Sequence, residues 1–208
     1  MTVYEMYADI DGEAIDSAED NILNSEAAFD LASNAVKDMT RARQTIQHAH
    51  HYFQNALRTY DAIRGPLSKT IGSFGEMGRR NDYRECISFS RRAQVCLDEY
   101  FRVMEGYLYT LPEDRRADHD ALKVLGLMQI QKISNLLFGG SLMTSAQRTT
   151  ASVKVMISKQ EKAFVHLTAL AVWVQDRVPI VEQEKRLAET ARNTSRRELA
   201  ALWMTSLS

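Results

Sequence analysis

Helix breakers are scarce in this chain. Three prolines and nine glycines are spread over 208 residues, and each of these costs more in a helix interior than any other residue type. Long uninterrupted helices are therefore open to it. Cysteine is as rare: Cys86 and Cys96 are the two. They fall ten residues apart on one predicted helix, too far to bridge within it, and Cys96 reads as a packing residue. No Lys or Arg occurs in residues 1–30, and residues 1–10 show neither the positive start nor the apolar core of a secretory leader. A reducing, cytoplasmic setting is the expectation. Catalytic and cofactor signatures are missing as well. There is no P-loop lysine, nucleophile elbow, dinucleotide fingerprint, zinc spacing or Glu-x-x-His pair. The expectation is a non-enzyme, with no catalytic, cofactor-binding or metal residue assigned.

What is present is charge asymmetry and heptads. The net charge of −1 hides nine acidic residues in the first thirty, leaving 18 acidic against 26 basic residues in the remainder. A solvated acidic helix start, favoured by the macrodipole, is one reading. The other is an acidic arm (residues 1–11, continuing through Glu13, Asp16, Glu19 and Asp20) that docks on a basic surface of this chain or of a neighbouring copy.

Stepping three and four residues from Ile15 gives Ala18, Ile22, Ser25, Phe29, Ala32, Val36, Met39, Arg43, Ile46, His50, Phe53, Leu57 and Tyr60. Eleven of these fourteen positions are apolar. A strand alternates every two residues and cannot give this pattern. The spacing predicts a helix over residues 12–64, roughly 80 Å long, ending at Gly65-Pro66, with a left-handed coiled-coil seam.

Residues 66–81 read as a connection, with Asn81 or Asp82 capping a second helix. Its seam is Tyr83, Ile87, Ser90, Gln94, Leu97, Phe101, Met104, Leu108 and Leu111, widened by Ala93, Cys96, Tyr100, Val103 and Tyr107. Thr110 and Glu113 fit a capping box with Pro112 in the first turn of a fresh helix, so Pro112 marks a kink or a turn. That third, most apolar helix is expected to reach Phe138 and to stop at Gly139-Gly140. Residues 121–142 carry too many polar groups to be a membrane span. A last helix starts near Ser141, with a seam of Leu142, Ala146, Thr149, Val153, Met156, Gln160, Ala163, Leu167, Leu170, Val174 and Val181. Pro179 should kink it. Past a charged stretch it ends in an apolar cluster, Leu199, Leu202, Trp203 and Met204, which folds back or meets a partner.

Other motifs have bland readings. His48 and His51 share a helix face and His50 falls on the seam. Two imidazoles at that spacing can begin a metal site, but a seam histidine also fixes register. Gly72, Gly75 and Gly78 before Arg79-Arg80 lack a preceding strand and read as a linker. Paired arginines are scattered among acids, so no one-sided basic footprint for nucleic acid arises. Residues 141–160 hold three basic residues and no acidic one, a candidate contact for an anionic membrane surface or a partner.

Met156, Gln160 and Val178-Pro179 stand at separations that resemble a segment of the toxic-anion (tellurite) resistance family, over residues 142–182. The departures are Glu161-Lys162 after the glutamine, where that family has asparagines, and Val181 in place of its tryptophan. The resemblance implies a cytosolic helical stress-response protein and carries over no catalytic residue.

The expectation is an all-α chain: one domain over residues 1–208, an elongated antiparallel bundle or coiled coil of three to four long helices. Its function is expected to be that of a scaffold or assembly protein working through protein–protein contacts, as a homo-oligomer or with another protein. Binding to a membrane surface is the alternative.

Overall fold

The computed structural model describes residues 3–64, 73–124 and 146–206. All of the regular structure in them is helical, and among the described residues there is no strand. Helix α1 spans Val3–Arg64, α2 Ser73–Met104, a 3-10 segment Glu105–Thr110, α3 Glu113–Val124 and α4 Ala146–Ser206. The fold class read from the sequence, all-α, is the one observed.

Several boundaries differ from the expectation. Helix α1 starts at Val3, not at Gly12. A Cβ on Gly12 would meet nothing within 4 Å, so that glycine fills no steric need. Helix α2 starts at Ser73, not at an Asn81 or Asp82 cap, and Gly75 and Gly78 lie inside it rather than in a linker. Each glycine costs about 1 kcal/mol there; good helix formers surround them, Glu76, Met77, Arg79 and Arg80. At the third start the capping box is replaced. The Thr110 hydroxyl donates back to the Tyr107 carbonyl at 2.7 Å, and the Pro112 carbonyl accepts the first α3 bond from the Arg116 amide at 2.8 Å. Pro112 thus precedes α3 instead of entering it. As the sequence reading placed it, Pro179 lies inside one continuous last helix, α4, at an exposed position. The Gly65-Pro66 stop, the apolar run past Val124, its Gly139-Gly140 end and the start at Ser141 lie outside the described residues.

The chain forms two compact units, one of residues 1–40 and 176–208, the other of residues 41–175. In the second unit, α1 buries Ala42, Ile46, Ala49, Phe53, Ala56 and Tyr60 at alternating steps of four and three. Helix α2 buries Cys86, Ser90, Ala93, Leu97, Tyr100 and Met104 at the same steps. From α4 come Ile157, Gln160, Ala163, Leu167, Leu170 and Val174. Burying one large apolar side chain such as Phe53 contributes about 1.5–3 kcal/mol.

Cross-helix contacts set the directions. Cys86 lies against the Ala56 carbonyl (3.4 Å) and Arg41 pairs with Glu99, so α2 runs antiparallel to α1. His50 packs on Phe164 with ring centroids 4.4 Å apart, and Gln47 donates to Gln175 at 3.2 Å, so α4 also opposes α1. The Phe101 and His119 rings meet edge to face at 5.0 Å. A straight helix would hold those two residues about 27 Å apart. The segment around Pro112 is therefore a chain reversal, and the second unit is an up-down-up-down four-helix arrangement rather than three rods with a kinked middle one.

Candidate functional site

The first unit holds the acidic arm and the apolar C-terminal cluster. Its described part is two helical segments, from α1 and α4. Glu26 and Arg196 pair at 2.6 Å, and the Phe29 ring carries Arg192 at 3.8 Å and Lys185 at 5.8 Å from its centroid. These contacts fix an antiparallel register. Stepping from Val178 by three and four then gives Val181, Lys185, Ala188, Arg192, Ser195, Leu199 and Leu202 as the α4 seam. Each is buried or half-buried. The facing row on α1 is Ile15, Ala18, Ile22, Ser25, Phe29, Ala32, Val36 and Met39. In that register Ala188 falls opposite Phe29, which leaves room for the two cations to close over the ring. The buried Arg192 Nε has no hydrogen-bond partner, as a guanidinium lying flat on an aromatic face allows.

Of the residues singled out in the sequence, Leu199 is buried and Leu202 half-buried within this seam, whereas Trp203 and Met204 are exposed. Glu13, Asp16, Glu19 and Asp20 are exposed on α1. Sequence reading missed the polar stretch of the seam, Lys185 to Ser195. The signal was present: the three-four stepping continues without a skip past Val181 through residues that a hydrophobicity criterion discards.

The seam is incompletely covered. Ile15, Ile22, Phe29 and Val36 remain half-exposed. Glu26 and Arg196 mark one flank, and the other carries Glu184 and Glu198 of α4. There Asn24, Ala28, Leu31 and Ala35 of α1 accompany Ile180, Leu187, Ala191 and Thr194 of α4. Among its described residues the first unit is an antiparallel helix pair, and a helix pair with a second apolar row is an incomplete bundle.

The second unit contains the polar groups with chemistry to offer. Asp118 of α3 accepts from Arg115 at 2.7 Å and from the His166 Nδ1 of α4 at 2.8 Å. Burial acts to raise its pKa; the bonds from His166 and Arg115 outweigh that and hold it below the usual carboxylate value. His119, buried, has Nδ1 3.2 Å from the Asp120 carboxylate, while its Nε2 and the nearby buried Tyr100 hydroxyl lack partners. Such an Asp–His pair orients the imidazole of His166. The pair bridges residues 48 positions apart, so no sequence motif announced it.

The histidine cluster divides. His50 packs on Phe164 with the rings tilted by 33°, and burial followed by the charge of His51 lowers its pKa. His51 bonds Asn55 at 2.9 Å, and His48 is exposed. Among the described residues no three His, Cys, Asp or Glu side chains gather as a metal site. Both cysteines are free thiols. The fully buried one is Cys86 rather than Cys96, which is half-buried. Helix α4 contains a stretch long and apolar enough to cross a membrane by length and composition, with mean hydropathy 1.2 over its best window. Its apolar residues include both the buried row of the second unit and the exposed Val165 and Val172.

No protein-family model matches the sequence, and neither a curated protein nor a solved structure matches it.

Proposed function

We propose that this protein is a non-enzymatic assembly component that acts through helix-to-helix contacts and self-associates. The observation that carries this reading is the half-covered seam of the first unit, where Ile15, Ile22, Phe29 and Val36 keep apolar surface in water beside the exposed Leu31 and Leu187. Contiguous apolar surface of this kind marks contact sites. The charge asymmetry of the chain supports the same reading, because separated charges of opposite sign steer association. The test is the absolute mass of the untagged protein by light scattering behind a sizing column. A mass above 23.7 kDa is expected, falling on removal of residues 199–208 or 1–11. Unchanged masses for both truncations would count against the reading.

A second reading is binding to an anionic membrane surface. Its motivating observation is the exposed row of α4 where Val155 and Val165 stand beside Lys154 and Lys162. Salt-sensitive co-sedimentation with anionic vesicles is the expected result; no binding at low salt removes this alternative.

A further inference from the structure

The two units carry opposite charge. Residues 1–40 and 176–208 hold 15 acidic and 7 basic residues, a net −8, and residues 41–175 hold 12 acidic and 19 basic, a net +7. Among the described residues each unit also presents an apolar row to solvent. In the first, Leu31, Ile180 and Leu187 lie on the side of the helix pair away from Glu26 and Arg196, and in the second, Val155, Val165 and Val172 run along α4; all six are between 45% and 73% exposed. The valine row follows heptad steps through Ser158, Lys162 and Ala169. Glu161 is the sole acidic residue between positions 141 and 175, against Arg148, Lys154, Lys159 and Lys162. The first unit's row is flanked by acids instead, Glu184 and Glu198 on α4.

The geometry points to head-to-tail self-association, in which the Leu31–Ile180–Leu187 face of one copy docks on the Val155–Val165–Val172 row of a second copy. This rests on the self-association proposed above and names its faces. A pairing of like faces would bring together units of the same sign, net −8 with −8 or +7 with +7. The unlike pairing brings −8 against +7 and seals an apolar strip of leucine and isoleucine on one of valine. The same seven-residue spacing, of Ile180 and Leu187 on one face and of Val165 and Val172 on the other, lets two helices interdigitate. Each copy then offers one face of each kind, so growth continues into a chain or closes into a ring.

Complementation tests this arrangement. Leu31→Lys with Leu187→Lys disables the first face; Val165→Glu with Val172→Glu disables the second. All four side chains are exposed, and circular dichroism and thermal melting confirm that each variant keeps its helix content. Wild type is expected to form particles above the monomer mass that shrink as salt rises. Each variant alone should be monomeric, and an equimolar mixture should give a discrete particle of two chains, because each variant retains the face that the other lacks. A second readout leaves every valine in place: Lys154→Glu with Lys162→Glu should raise the concentration for half-assembly about tenfold at low salt and much less at high salt. An assembling wild type whose two variants do not recombine would overturn the head-to-tail arrangement and leave self-association standing. A wild type that is monomeric at all concentrations overturns both, and capture of that monomer by anionic vesicles through the same lysines would assign the valine row to a lipid surface.

Discussion

Arg192, from what sequence reading took only as a charged stretch, lays its guanidinium over the ring of the seam residue Phe29, 3.8 Å from the centroid. Such a contact is worth about 0.5 kcal/mol when exposed and about 2 kcal/mol when desolvated. The orphaned, buried Arg192 Nε places it toward the desolvated end. Phe29→Ala removes the ring's burial as well, and should destabilise the first unit by about 3 kcal/mol. Arg192→Leu should cost about 1–2 kcal/mol. The neighbouring Glu26–Arg196 pair is roughly half exposed and should contribute under about 1 kcal/mol, screened by salt. Urea unfolding of Phe29→Ala, Arg192→Leu and Glu26→Gln at two salt concentrations ranks them. Equal costs for all three would mean that the ring is not a cation platform.

The fully buried Ser90 accepts a hydrogen bond from the Gln160 side chain and donates to the Cys86 carbonyl at 2.8 Å, and Gln160 Oε1 is left without a partner. Ser90→Ala strands the Gln160 amide and should cost about 1–3 kcal/mol. Adding Gln160→Leu removes both the stranded donor and the orphaned acceptor, so the double variant should be more stable than Ser90→Ala alone. A double-mutant cycle by chemical denaturation checks this; strictly additive costs would show that the pair is not coupled.

Much of this architecture was legible, and the parts that were not have physical reasons. Heptad stepping located the buried Met39, Ile46, Phe53 and Tyr60 and nearly the whole α4 row of the second unit. It chose Arg43, His50 and Leu57 over their neighbours Ala42, Ala49 and Ala56, yet those alanines are the fully buried ones. Alanine is weakly apolar and so scores below leucine, but its small size suits it to the closest approach between helices. The reversal at Pro112 was beyond sequence reading because a helix-start signal fixes where a helix begins and not the angle it takes. That angle is set by the remote contact of Phe101 with His119. The Asp118–His166 bond is equally remote, joining α3 to α4.

His50 gives a pH dependence of definite sign. Burial against Phe164, then the charge of His51, holds its pKa below the ordinary 6.5. The unfolded chain therefore binds this proton more readily, and stability falls as pH drops below about 6.5. His50→Phe keeps an aromatic ring at the site and should flatten the stability profile between pH 5 and 7. An unaltered profile in that variant would assign the dependence to another group.

Cys86 controls the opposite end of the pH scale. Burial, reinforced by Glu85, pushes its thiol from 9.0 up to about 12. A raised acid pKa in the folded state means that the native chain holds its proton longer than the unfolded chain. This contribution is fully present below pH 9 and is lost as pH rises from 9 toward 12, with a slope of no more than about 1.4 kcal/mol per pH unit. Cys86→Ala should remove that slope between pH 9 and 10, before the buried Tyr100, whose pKa burial also raises, makes its own contribution. The thiolate is the reactive form, so a thiol reagent at pH 8 should modify Cys96 in the native protein and reach Cys86 only after unfolding. Labelling followed by mass measurement distinguishes one adduct from two. Rapid native modification of Cys86 would mean that the contact of its sulfur with the Ala56 carbonyl opens readily, and that the junction of α1 with α2 is far less tightly packed than its buried alanines imply.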